Sequence, residues 1–199
     1  MDKKSESPLK ASIEYTVDYR NVKYPRLEFK TGSLLLVLPR DYRNEEDVLK
    51  KHQKWIRKKT QTINNALHRA KHKQLNLKRT RDELRNLVQS SIQNFECELR
   101  TKVGKLFFRK MRTKWASYSK NGNLTINTQL RFLPKELIEY VIFHEMTHAL
   151  EKRHNDTFWK IVNRKYPHYK DKEQELLIHW FLIQKKLNPQ QHNQIRNLP

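Results

Sequence analysis

The segment from Pro134 to Glu151 constrains the fold most. It carries Leu137, Val141, His144, His148 and Glu151 at helical spacing, and Ile138, Tyr140, Ile142 and Phe143 make it apolar on several further sides. An apolar surface that wide belongs to a buried helix, and Pro134 is suited to its opening. Within it, residues 144–148 read His-Glu-Met-Thr-His. Polar groups in a core need partners, so an accidental His-Glu-His face would be resisted there. On a helix, positions i and i+4 share a face, so the His144 and His148 imidazoles can bind one metal ion. Glu145 stands beside them, placed to take a proton from a metal-activated water.

A third candidate ligand, His154, lies beyond His148 at a separation that lets the helix stop, the chain turn and another imidazole return. That spacing equals the H-E-x-x-H-x-x-G-x-x-H pattern of zincins. The glycine of that pattern is Glu151 here, so the turn is expected at Lys152-Arg153. Glu151 and Asp156 are candidates for orienting a ligand histidine. His68 and His72 are also four apart, but in a basic segment with no intervening carboxylate, which reads as solvated surface. His52, His168, His179 and His192 have no local partner pattern.

Around this segment the chain reads as α+β. Ile13, Tyr15, Val17 and Tyr19 alternate with polar residues, and Leu27 and Phe29 precede Thr31-Gly32-Ser33 and the run Leu34 to Leu38. The glycine between two apolar runs predicts an N-terminal β-hairpin region over 1–42. Helical spacing from Glu45 to about Ala70 follows, through Val48, Trp55, Ile56, Ile63 and Leu67. Thr80-Arg81-Asp82-Glu83 fits a capping box. It opens an amphipathic helix whose stripe is Leu84, Leu87, Val88, Ile92, Phe95, Leu99 and Val103, with Cys97 read as a small core residue on it. Residues 105–128 look extended, with Asn121-Gly122 as a hairpin signal in a small antiparallel sheet. Asp156 and Asp171 are expected to cap helices 157–165 and 172–187, bounded by Pro167 and Pro189. The expected regions are thus 1–42, a basic helical segment 43–104, a metal-site region 105–188 and a polar tail 189–199, forming one compact domain.

Charge enters as a regional property. Of the net charge of +21, two thirds lies in residues 43–114, which hold 21 basic and 7 acidic groups. Such a block attracts polyanions, nucleic acid among them, without specifying a sequence. The longest apolar run, Leu34 to Leu38, is far short of the ~20 residues of a helical membrane span. One cysteine in 199 residues excludes a disulfide framework, and the first residues lack the apolar stretch of a signal peptide. A cytoplasmic location is the expectation, with the oligomeric state unreadable.

The sequence resembles the YgjP-like metallopeptidase-domain family, related to the SprT-like zincins. The resemblance runs through Arg112, Trp115-Ala116-Ser117-Tyr118-Ser119, Leu124-Thr125-Ile126-Asn127, Pro134 and Tyr140-Val141. It continues through His144 to His148, His154, Phe158-Trp159, and Pro167 with Tyr169. The Gly and Cys of the family pattern are Ala116 and Tyr118 here. The resemblance implies a zincin-like fold, Zn²⁺ bound by His144, His148 and His154, and Glu145 as general base in peptide hydrolysis. For a second donor to the oxyanion, Tyr118, Tyr166 and Tyr169 are candidates, and the Leu124 to Thr128 strand is a candidate wall that pairs with an extended peptide. Two other functions use the same features: a metal-dependent nucleoside-triphosphate pyrophosphatase, and a nucleic-acid-associated protease or binding protein. Only 3 glycines are present, so no Gly-rich phosphate cradle supports the former.

Overall fold

A computed structural model describes residues 15–30 and 33–187. Gly32, Ile13 and the tail after Leu187, on which some of the expectations above fall, lie outside them. The fold gathers into two compact units, residues 1–65 and 66–199.

In the first unit, β1 (Tyr15–Arg20), β2 (Arg26–Lys30) and β3 (Ser33–Pro39) form a sheet of order β1-β3-β2. β2 and β3 pair antiparallel, Phe29 opposite Leu34, as a hairpin requires. β1 joins the other edge of β3 in parallel, Tyr15 opposite Leu34. The central strand therefore has neighbours on both edges, and Leu34, Leu36, Val37 and Leu38 are all buried. Leu36 and Leu38 pack with Val48 of α1 (Glu45–Lys51), and Val17, Leu27 and Tyr42 close around them. α1 is capped by Asn44, with Glu45, Glu46 and Asp47 in its first turn and Lys50 and Lys51 in its last, the arrangement its dipole favours. The helical run expected from 45 to 70 is interrupted at His52. α2 (Gln53–Ala70) follows, crossing the boundary between the units. Ile56 and Ile63 are buried, whereas Lys54, Trp55, Arg57, Lys58 and Lys59 are exposed.

The second unit holds α3 (Arg81–Leu99), β4 (Leu106–Arg109), β5 (Ala116–Tyr118), β6 (Leu124–Asn127), a short 3₁₀ turn Thr128–Phe132, and α4 (Lys135–Thr147). α5 (Asp156–Lys165) and α6 (Tyr169–Leu187) complete it. Both bonds of the expected capping box are present: Glu83 N–H donates to the Thr80 hydroxyl at 3.1 Å, and Thr80 N–H to the Glu83 carboxylate at 2.6 Å. Leu84, Val88, Ile92, Phe95 and Leu99 are buried as expected. The stripe does not reach Val103, because Arg100 adopts a left-handed conformation (φ 50°) that ends the helix. Cys97 is exposed, not a core residue. At 100° per residue it lies two positions, and roughly 200°, from both Phe95 and Leu99, away from their face.

The small sheet is mixed where a purely antiparallel one was expected. Its order is β4-β6-β5. β5 and β6 are antiparallel, joined across Asn121-Gly122 with Gly122 at φ 73°. β4 runs parallel to β6. All four β6 residues are buried. Asn127, at its end, has no exposed surface. Its amide donates to the Met111 and Lys114 carbonyls at 2.9 and 2.7 Å, and its carbonyl accepts from the Gln129 and Met111 N–H groups at 3.1 and 3.3 Å. Asn127 thereby pins the loop entering β5. Asn127→Ala would strand several of these groups, so a loss of about 2–3 kcal/mol is expected. Urea unfolding reads this directly, and an unchanged midpoint would contradict it.

α3, α5, α6 and β5 all pack on α4. Pro134 precedes its first turn, its carbonyl accepting from Leu137 and Ile138, and Leu137, Ile138, Tyr140, Val141, Ile142, Phe143, Met146 and Thr147 are buried around it. The cap of α5 is Asn155, not Asp156: the Asn155 side chain accepts from Phe158 N–H at 3.1 Å. α6 starts at Tyr169, placing Asp171 inside its first turn instead of at its cap. No described helix is long and apolar enough to cross a membrane.

Candidate metal centre

α4 presents His144 and His148 from its last turn, and the chain brings His154 back to them. The exit needs no glycine. Ala149 and Leu150 N–H groups bond to the Met146 and Thr147 carbonyls, tightening the helix end, and Glu151 N–H also reaches Thr147 at 3.0 Å. The Glu151 carboxylate then accepts from Arg153 N–H at 3.0 Å, which holds the bend and keeps that carboxyl below its usual pKa. Ligand-capable atoms of His144, His148 and His154 all lie within 4.8 Å of one another. His144 Nε2 and His154 Nε2 are 3.0 Å apart, close to the roughly 3.3 Å between two nitrogens each about 2.0 Å from a tetrahedral ion.

One ring underlies all three. Phe158, fully buried, sits 5.0, 4.7 and 4.6 Å (centroid to centroid) from His144, His148 and His154. Trp159 stacks on His154, and Tyr169 stacks on Trp159 at 4.7 Å. The Phe158-Trp159 pair is thus the floor and side of the cluster. Burial, then the neighbouring His154 and His148, push the His144 pKa down to about 3, and burial followed by His148 lowers that of His154. Both shifts favour the neutral imidazole, the form in which histidine ligates a metal. His148 Nδ1 donates to the Glu151 carbonyl at 3.1 Å, leaving its Nε2 for the cluster. Here the main chain of Glu151 does the orienting, and its carboxylate does not. Three imidazole nitrogen donors with room for a further ligand are the donor set of a catalytic zinc site, so the residues fit such an ion.

Glu145 lies beside the cluster, its Oε2 accepting from Tyr118 N–H at 2.9 Å. Burial raises its pKa, opposed by His148, the Tyr118 N–H and Lys114. The histidines and Glu145 open into a cleft of about 710 Å³. Its wall is β5 with its flanks, including Trp115, Tyr118 and Lys120, and not the Leu124 to Thr128 strand, which is held centrally between β4 and β5. Trp180 of α6 buttresses Trp115 edge-on at 5.0 Å. Of the tyrosines considered as oxyanion donors, Tyr118 lines the cleft with its hydroxyl 3.5 Å from the Lys102 carbonyl, the Tyr166 ring packs on Tyr140 and Phe143, and the Tyr169 ring on Trp159. The His68 and His72 rings, 5.7 Å apart, are exposed and form no larger ligand group among the described residues.

Sequence reasoning missed Glu173. This α6 residue lines the cleft, and its carboxylate accepts from the Tyr140 hydroxyl at 2.5 Å. Its side chain is 45% exposed, and the part that is buried pushes its pKa up, against the Tyr140 hydrogen bond. No local spacing joins it to the histidines.

A model of the YgjP-like metallopeptidase domain matches residues 68–179. No curated protein sequence matches the chain. Among solved structures, the metallopeptidase zymogen jannalysin of Methanocaldococcus jannaschii is similar at 23% identity and a TM-score of 0.40, over 50% of this chain and 97% of its own. The zymogen abylysin of Pyrococcus abyssi is similar at 25% identity and a TM-score of 0.41, over 50% and 95%. The family match begins within α2 and takes in the cleft, the three histidines and Glu145. It spans more than half of the 199 residues, and the chain accordingly belongs to the YgjP-like metallopeptidase family.

Proposed function

We propose that the chain is a zinc-dependent peptidase, with His144, His148 and His154 as ligands and Glu145 as general base. The observation that carries this reading is the convergence of three imidazoles beside a carboxylate at the floor of an open cleft. A bound zinc ion would supply Lewis acidity, polarising the scissile carbonyl and making water a competent nucleophile near neutral pH.

The chain's own residues do the remainder. Tyr118 N–H fixes Glu145 Oε2, so Oε1 is left to accept a proton from the water that attacks the carbonyl carbon. As the carbon–nitrogen bond breaks, Glu145 delivers that proton to the leaving amine. Burial of Glu145 supports this role, since a raised pKa suits a group that must first take a proton and then give it up. The Glu151 carbonyl fixes the His148 tautomer, and Phe158 keeps the imidazoles from spreading. An extended substrate would lie along Trp115 to Lys120.

Chelation is expected to abolish cleavage of an unstructured protein such as casein, and stoichiometric zinc to restore it. Pyrophosphate release from nucleoside triphosphates, with no peptide cleavage, would instead establish the pyrophosphatase reading.

A further inference from the structure

A histidine that binds a metal through one ring nitrogen commonly donates its other N–H to an acceptor, which fixes tautomer and ring orientation. His148 has the Glu151 carbonyl for this purpose. His144 turns Nε2 toward His154; with that nitrogen given to the proposed ion, a neutral ring carries its proton on Nδ1. That Nδ1 is buried and has no hydrogen-bond partner, an arrangement that costs free energy unless something answers it. Glu173 Oε1 stands 3.8 Å away. A movement of about 1 Å would bring it within hydrogen-bond range. The same oxygen is held by the Tyr140 hydroxyl at 2.5 Å. Tyr140 and His144 are four apart on α4, so both face α6 at one place.

We infer that Glu173 is a positioning residue, held by Tyr140, whose carboxylate accepts the Nδ1 proton of His144 and so presents Nε2 to the metal ion. This rests on the zinc reading above and adds a residue from a different helix to the support of the ligand set. Glu173 is not itself a ligand in this arrangement: its Oε1 stands by Nδ1, and the nitrogen that faces His154 is Nε2.

The test is zinc affinity of the full chain, measured by competition with a chromophoric chelator, together with the ¹⁵N tautomer pattern of the zinc-loaded histidines. Glu173→Ala is expected to weaken zinc about 10–100-fold, and Glu173→Gln less, since an amide oxygen still accepts. Tyr140→Phe, which leaves the carboxylate and most of the packing, is expected to fall between wild type and Glu173→Ala. In wild type the His144 signal is expected to show Nδ1 protonated, a pattern blurred in Glu173→Ala. Should wild type take up one zinc while Glu173→Ala binds within threefold of it, the inference is overturned and the zinc site stands. If Glu173→Ala does not fold, wild-type affinity in both Tyr140→Phe and Glu173→Gln overturns it equally. A wild type that takes up no zinc overturns the parent reading, and this one with it.

Discussion

Glu145→Gln is expected to lower peptide turnover by about 10²–10⁴-fold while leaving bound zinc at wild-type stoichiometry. The substitution preserves shape. The amide oxygen can still accept from Tyr118 N–H, now 2.9 Å from Oε2, so the β5 wall stays in place. What is lost is the capacity to take a proton and return it. The three imidazoles do not depend on that capacity, which is why metal content separates loss of the base from loss of the site. Folding should not suffer either: burial already opposes the charged form of Glu145, and a neutral isostere removes that opposition. Elemental analysis and saturating-substrate kinetics on the same preparation decide the matter. Wild-type turnover in this variant would remove Glu145 from the mechanism.

His148→Ala is expected to weaken zinc by more than about 100-fold, beyond what loss of an orienting partner does. Two donors, one on α4 and one beyond its end, cannot replace three converging ones. The side chain also packs 4.7 Å from Phe158 and donates to the Glu151 carbonyl, so its removal opens space under the cluster. Metal-free wild type is therefore the proper reference. Its melting temperature separates the packing cost from the loss of metal stabilisation, which shifts melting only when zinc is present. Full zinc occupancy in His148→Ala would refute the ligand assignment.

How much of this was legible depended on distance along the chain. His144, Glu145 and His148 fall within one helical turn, and His154 is a short return beyond them, so spacing alone suggested the set. The capping box at Thr80 was readable for the same reason. Glu173 was not, because only the docking of α6 on α4 brings it behind His144. The sheet was half legible: Asn-Gly announced the β5–β6 hairpin, but an extended segment reads the same in either strand direction, so nothing revealed that β4 runs parallel to β6. At α5 the expected cap, Asp156, fell one residue late, because its neighbour Asn155 carries an equally suited side chain. Backbone geometry chose Asn155. The cleft wall was misassigned because strand order, unlike strand existence, leaves no mark in a single sequence.

The floor beneath the cluster has a consequence for how the site assembles. Its donors and the aromatic ring under them come from one short stretch, His144 to Phe158. Closing so small a loop sacrifices little chain entropy. The donor cluster is thus a product of neighbours in sequence, whereas the far wall at Tyr118 and the brace from α6 need long-range contacts. In the proposed zinc site, chain closure would set the spacing of the donors, whereas the cleft around them depends on contacts between elements distant in sequence.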